Sequence, residues 1–264
     1  MTARGFTLLE MIMTMVLLAV VGLSMVSIIS QSSLIYVDTA ARELLLQEGR
    51  FVAERLVREV RLAVPNSVLL SQNDRCLEWV PVRASGIYSD IPLAATNKLT
   101  VIPDGTIQAN QRAVIYPVKP DNIFAKTIPA GGENNVAIVA ADLNFTPAEN
   151  ENMVELTFAQ QTQFPAGSPA SRFYIYDQPV AYCLEGTQIW RYSNYKPERE
   201  NLTVPDFSGD GVRRVLMAEH VAALNFNVDH ATLTRNGLVK FSLEMTARGE
   251  TVRFDQDAFI ANAP

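Results

Sequence analysis

Arg4-Gly5-Phe6-Thr7-Leu8-Leu9-Glu10 opens an apolar run in which no residue from Met11 to Val37 carries a formal charge. About 20 apolar residues suffice to cross a bilayer as a helix, so this run is long enough. Glu10 does not fit a plain anchor. An acid at the centre of a bilayer helix costs about 2.5–3.5 kcal/mol on insertion scales, and such residues are functional and partnered by default. The plainer alternative leaves Glu10 wet at the membrane surface.

The flanks set the topology. Arg4 lies before the run and Asp38 is the first charge after it. The positive-inside rule then keeps the N-terminus cytoplasmic and exports the C-terminal bulk. The run is too long for an ordinary signal core and lacks an Ala-x-Ala cleavage site after it. On composition alone, an uncleaved anchor is the better generic reading.

The helical pattern continues past the membrane. Leu34, Ala41, Leu45, Val52, Leu56, Val60 and Ala63 fall on one stripe of a 3.6-residue wheel. Glu43, Gln47, Arg50, Glu54, Arg58 and Arg61 fall largely opposite, as a solvated face. Glu54–Arg58 is an i,i+4 pair in the favourable order, and Arg55–Glu59 one in the weaker order. Gly49, near the stripe, marks either a close approach or a tolerated helix glycine. Pro65 displaces Val64 from the helical region, so one helix is predicted from Phe6 to about Val64.

Beyond Pro65 the period switches to two and a large β-rich head is predicted, giving an α+β chain. Twelve strands are expected, among them Cys76–Val82, Arg172–Tyr176, Val180–Leu184 and Gln188–Tyr192. Leu238–Thr246 and Thr251–Ile260 read as a hairpin turning at Ala247-Arg248-Gly249-Glu250. Arg213–His220 reads as a short helix. Cys76-Leu77-Glu78 and Cys183-Leu184-Glu185 echo each other, an echo short enough to arise by chance. No domain linker stands out.

The chain's net charge is −6 and it has no cluster of Lys and Arg, which argues against nucleic acid. Cys76 and Cys183 are the two cysteines. They pair if the head lies outside the cytoplasm, and otherwise remain two buried thiols. No nucleophile elbow, zincin pair or phosphate loop occurs. His220, His230 and Asp229 lack a recognised ligand spacing. Asp206-Phe207-Ser208-Gly209-Asp210-Gly211 starts like a calcium loop, but Met217 stands where a bidentate Glu is needed. No cofactor is expected; a looser calcium turn is the one candidate, against an acidic surface turn. Phe173, Tyr174, Tyr176, Tyr182, Trp190, Tyr192 and Tyr195 suggest a sugar-stacking surface only if the half expected inside by strand alternation is discounted.

Gly5-Phe6-Thr7-Leu8-Leu9-Glu10 followed by an apolar run resembles the type IV prepilin motif. The resemblance implies cleavage between Gly5 and Phe6 by prepilin peptidase, N-methylation of Phe6 and retention of Glu10. Glu10 would pair with the Phe6 amine of a neighbouring subunit. Residues 1–5 would be the leader, 6–30 the transmembrane and assembly helix, 31–64 its amphipathic continuation, and 65–264 a periplasmic pilin-like head. The helix-kinking proline of many major pilins is absent from the run. Further segments resemble minor pilins of the mannose-sensitive haemagglutinin (MSHA) pilus. These are Ile35–Arg42, Arg50–Leu56, Val64–Val68, Cys76–Pro81, Phe254–Gln256 and Asn262–Pro264; Thr96–Gln178 matches no motif. A PilW-type minor pilin, or a J-type pseudopilin of type II secretion, reads similarly. The implied role is structural rather than enzymatic. The implied partners are other minor and major pilins and the inner-membrane assembly platform, with the chain ending in the pilus fibre.

Overall fold

The computed structural model describes residues 7–91, 94–124, 133–144, 153–203, 207–232 and 235–261, without the Leu34 side chain. Gly5, Phe6, Asp206 and the segment 262–264 therefore lie outside the described residues, as does Leu34's place on the stripe.

One helix, α1 (Leu8–Arg61), runs for 54 residues, about 80 Å at 1.5 Å per residue. It stops three residues short of Val64. Leu62 caps it, the Leu62 N–H donating to the Glu59 carbonyl and the Ala63 N–H to the Val60 carbonyl. The chain then forms a bridge, Ala63 against Pro81, in which the Val82 N–H donates to Leu62 O and the Val64 N–H to Val80 O, both at 2.8 Å. Pairing with an extended neighbour ends the helix before Pro65 has to.

The strands are β1 (Leu69–Ser71), β2 (Cys76–Trp79), β3 (Val82–Tyr88), β4 (Thr96–Asp104), β5 (Arg112–Ile115), β6 (Val136–Ile138) and β7 (Val154–Thr162). They continue with β8 (Arg172–Tyr176), β9 (Val180–Glu185), β10 (Gln188–Ser193), β11 (Arg213–Ala218), β12 (Val221–Asp229), β13 (Leu238–Ala247) and β14 (Glu250–Phe259). A single helical turn, α2 (Asp121–Phe124), precedes β6. The described strands form three antiparallel sheets, ordered β1-β2-β9-β10-β11, β12-β13-β14 and β6-β5-β8-β3-β4-β7.

Leu45, Val52, Leu56 and Val60 of α1 share one core with Leu77, Trp79 and Tyr182 of the first sheet and Leu224, Phe241 and Leu243 of the second. The six-stranded sheet builds a separate core around Leu99, Leu156, Phe158, Phe173 and Ile175. Val64, Val80, Val114, Phe124, Tyr174 and Tyr176 fill the junction between them. Two cores without a linker arise because β2 and β3 follow each other across Val80-Pro81 but belong to different sheets. The predicted strand Cys76–Val82 is therefore split, and Arg83–Tyr88 was not anticipated as strand.

The segment Arg213–His220 is strand, not helix. Its first six residues pair with β10, and the Arg214 guanidinium lies 3.7 Å from the Trp190 ring centre. The β13–β14 hairpin turns as predicted. Arg248 and Gly249 take φ of 51° and 86°, the two positive values that a two-residue type I′ turn requires.

Candidate functional site

The N-terminal end of α1 is closed by a capping box. The Glu10 N–H donates to Thr7 Oγ1, and the Thr7 N–H and hydroxyl donate to Glu10 Oε2, each at 3.3 Å. Threonine and glutamate three apart at a helix start are the residues this device uses. The carboxylate thus has a local partner, yet it remains exposed.

Behind it, every described side chain from Leu8 to Ala40 is exposed. Leu8, Leu18 and Leu23 are 78%, 71% and 74% exposed. A helix apolar all round belongs in lipid or among other apolar helices, and this one is long and apolar enough to cross a membrane. Three of its hydroxyls bond within the helix: Thr14 donates to Met11 O at 2.9 Å, Ser24 to Val20 O at 2.9 Å and Ser27 to Ser24 O at 2.8 Å. Back-bonding of this kind removes the need for water or an outside partner. Glu10 is the one formal charge among the described residues between Thr7 and Val37.

The second half of α1 is fixed to the head. Gly49 is the closest approach: a Cβ there would overlap the Phe254 ring of β14. Glu59 is a second fastener. Its carboxylate accepts from Arg55 Nε at 2.8 Å, Arg191 Nε at 3.0 Å and the Tyr182 hydroxyl at 3.3 Å. So the Arg55–Glu59 pair forms despite its weaker order, because the sheet supplies a second cation. Arg55 and Glu59 are thus head contacts, while Glu43, Gln47, Arg50, Glu54, Arg58 and Arg61 stay exposed as the solvated face. Burial, and then the Glu59 charge, push the Tyr182 hydroxyl well above its ordinary pKa.

Cys76 and Cys183 form a disulfide between directly opposed residues of β2 and β9. Antiparallel pairing at that point places the two Cys-Leu-Glu triplets around a local two-fold. Each glutamate then meets a tyrosine and an arginine. Glu78 accepts from Tyr195 at 3.1 Å and from Arg199 at 3.0 Å, while Glu185 accepts from Tyr192 and from Arg214 at 2.6 Å. The echo in the sequence thus has a structural counterpart. Burial pushes the Glu78 carboxyl up, with Arg199 and Tyr195 drawing it back.

The aromatic set is core rather than surface. Phe173, Tyr174, Tyr176, Tyr182, Tyr192 and Tyr195 are buried, and only Trp190 is partly open. Strand alternation fails as a guide here because both faces of β8 and β9 are covered. The sugar-stacking surface is overturned by this burial. His220 and His230 sit just outside opposite ends of β12, roughly 30 Å of extended chain apart, so they cannot share a metal. In the calcium-like turn, Phe207 stacks on Tyr192 at 3.9 Å, anchoring the turn to the cluster over the disulfide. No group of three His, Cys, Asp or Glu side chains suited to a metal occurs among the described residues.

Sequence reasoning singled out Glu10 and the cysteine pair. It missed Thr7 as Glu10's partner, although Thr-x-x-Glu ahead of an apolar run is a legible capping signal. It read the Arg55–Glu59 pair but missed Glu59's two partners on the sheet, Tyr182 and Arg191, more than a hundred residues away. No curated protein and no solved structure matches the chain. Residues 1–26 match the family described as "Prokaryotic N-terminal methylation motif". The N-terminus of this chain therefore carries the prepilin-type signal of type IV pilin-like proteins, which are structural subunits.

Proposed function

We propose that this chain is a minor pilin of the MshO type, a structural subunit that helps initiate or cap an MSHA-like type IV pilus used in surface attachment. Prepilin peptidase removes residues 1–5, and Phe6 becomes the methylated N-terminus. The mature helix waits in the inner membrane with its N-terminus cytoplasmic and its head periplasmic. It then leaves lipid for a bundle of pilin helices, guided by the assembly platform. Glu10 leaves its capping box and pairs with the Phe6 amine of a neighbour, a charged contact that low dielectric strengthens. The observation that carries this reading is the uncovered apolar half of α1 with a single acid at its start.

Mass analysis of the purified mature protein is expected to show N-methyl-Phe6. An intact Met1 in a peptidase-competent cell would sink the proposal. A J-type pseudopilin of type II secretion shares the same N-terminal signal, and residues 1–26 serve both readings equally. Co-purification with secretion pseudopilins, together with loss of exoprotein release on deletion, would select that alternative.

A further inference from the structure

The β13–β14 turn lies beside the exposed part of α1. An open groove runs between this turn and the helix, lined by helix residues between Tyr36 and Leu44 on one side and by His220, Ala247 and Arg248 on the other. The height of this groove along α1 matters. A hydrocarbon core of about 30 Å takes about 20 helical residues, and the headgroup layer about five more. Counted from Glu10, the far headgroup layer ends near residue 35. Tyr36 and the turn beside it therefore lie at the lipid phosphates on the head's side of the bilayer.

The residues at that height suit the position. Tyr36 is 75% exposed, and Val37 and Leu44 are also open. An exposed tyrosine at the end of an apolar span is the side chain that favours a membrane interface. Arg248 is exposed and forms no ion pair among the described residues. A guanidinium is a strong, fork-shaped donor to phosphate oxygens. Nothing stands over the turn: a Cβ at Gly249 would meet no atom within 4 Å. His220, the other basic side chain lining the groove, lies 3.6 Å from Glu48, so Arg248 is the groove's one guanidinium.

We propose that the β13–β14 turn is a second membrane contact, in which Arg248 binds phospholipid headgroup phosphates and Tyr36 fills the groove beside it. This rests on the membrane-anchor reading of α1. The contact would hold the head against the bilayer and set its orientation before the helix is drawn out.

The test places full-length protein in nanodiscs containing phosphatidylglycerol, with a nitroxide at Glu250→Cys or at Ser24→Cys, the latter within the counted hydrocarbon span. Collision with dioxygen and with a water-soluble nickel chelate is then measured. The label at 250 is expected to be apposed to lipid. Arg248→Gln should shift its apposed-to-free ratio about fivefold, the effect of one cation at an anionic surface. A label at 250 that is open to the chelate and indifferent to Arg248→Gln, with position 24 protected, overturns the turn contact alone. Position 24 open to the chelate overturns the anchoring on which it rests. Protection at 250 seen only in discs holding two copies assigns the groove to a neighbouring helix and overturns the lipid contact.

Discussion

Between Leu8 and Ala40 the head covers no described side chain of α1, whereas Leu45, Val52, Leu56 and Val60 are sealed to 0–1% exposure. The hydrogen-bonded rod is continuous across the change. What differs is where the apolar side chains are placed. The second half confines them to a stripe that the sheets fill. The first half spreads them round the whole circumference, where no single sheet can cover them. One half therefore completes its structure within the chain, and the other needs lipid or other helices.

Glu10→Ala should separate the halves most sharply. It is expected to abolish incorporation into sheared fibre while leaving the head's melting temperature unchanged. Fibre at wild-type level would break the distinction. Removing the disulfide by Cys76→Ala with Cys183→Ala works on the other side. It closes a separation of 107 residues, so its loss should lower head stability by about 4–5 kcal/mol in the chain-entropy model, read by denaturant unfolding.

A glycine pair sharpens the comparison further. Gly49→Leu would drive a side chain into Phe254 and is expected to cost about 2–3 kcal/mol, relieved in part by Phe254→Ala. Gly22→Leu meets nothing within 4 Å and should leave head unfolding within about 0.5 kcal/mol.

The smallest effect is on pH dependence and belongs to the head alone. Burial pushes Tyr192 up to about 12, and holds Tyr176, Tyr182 and Tyr195 well above their ordinary value. A raised folded-state pKa gives stability that is fully present below the unfolded value near 10 and is lost as pH climbs through the folded value. Head stability should therefore fall from about pH 10 upward, with these four buried tyrosines contributing tyrosinate absorbance as the head unfolds.

How far these features were legible in the sequence follows the range of the interactions involved. The helix, its stripe, the final hairpin and the acid at position 10 depend on neighbours within a few residues, and periodicity reveals them. The cysteine pair followed from count and context. The split at Val80-Pro81 did not, because it depends on which sheet each side joins. The strand at Arg213–Ala218 was misread because its pairing with β10 is non-local, while its pattern carries no clear period. The aromatic residues of β8 and β9 misled because alternation assumes one open face.

The contact between α1 and β14 has a consequence for timing. The stripe of the helix is sealed largely by β13 and β14, and the Ala261 N–H donates to Arg61 O at 3.0 Å. The first element of the chain is thus closed by the last. During synthesis, Leu45, Val52 and Leu56 stay unprotected until residues 250–261 have emerged. Folding of this head is then a closing event with high sequence separation, slow relative to local helix formation. Loss of only the last strand would leave the helix intact and its stripe open to aggregation.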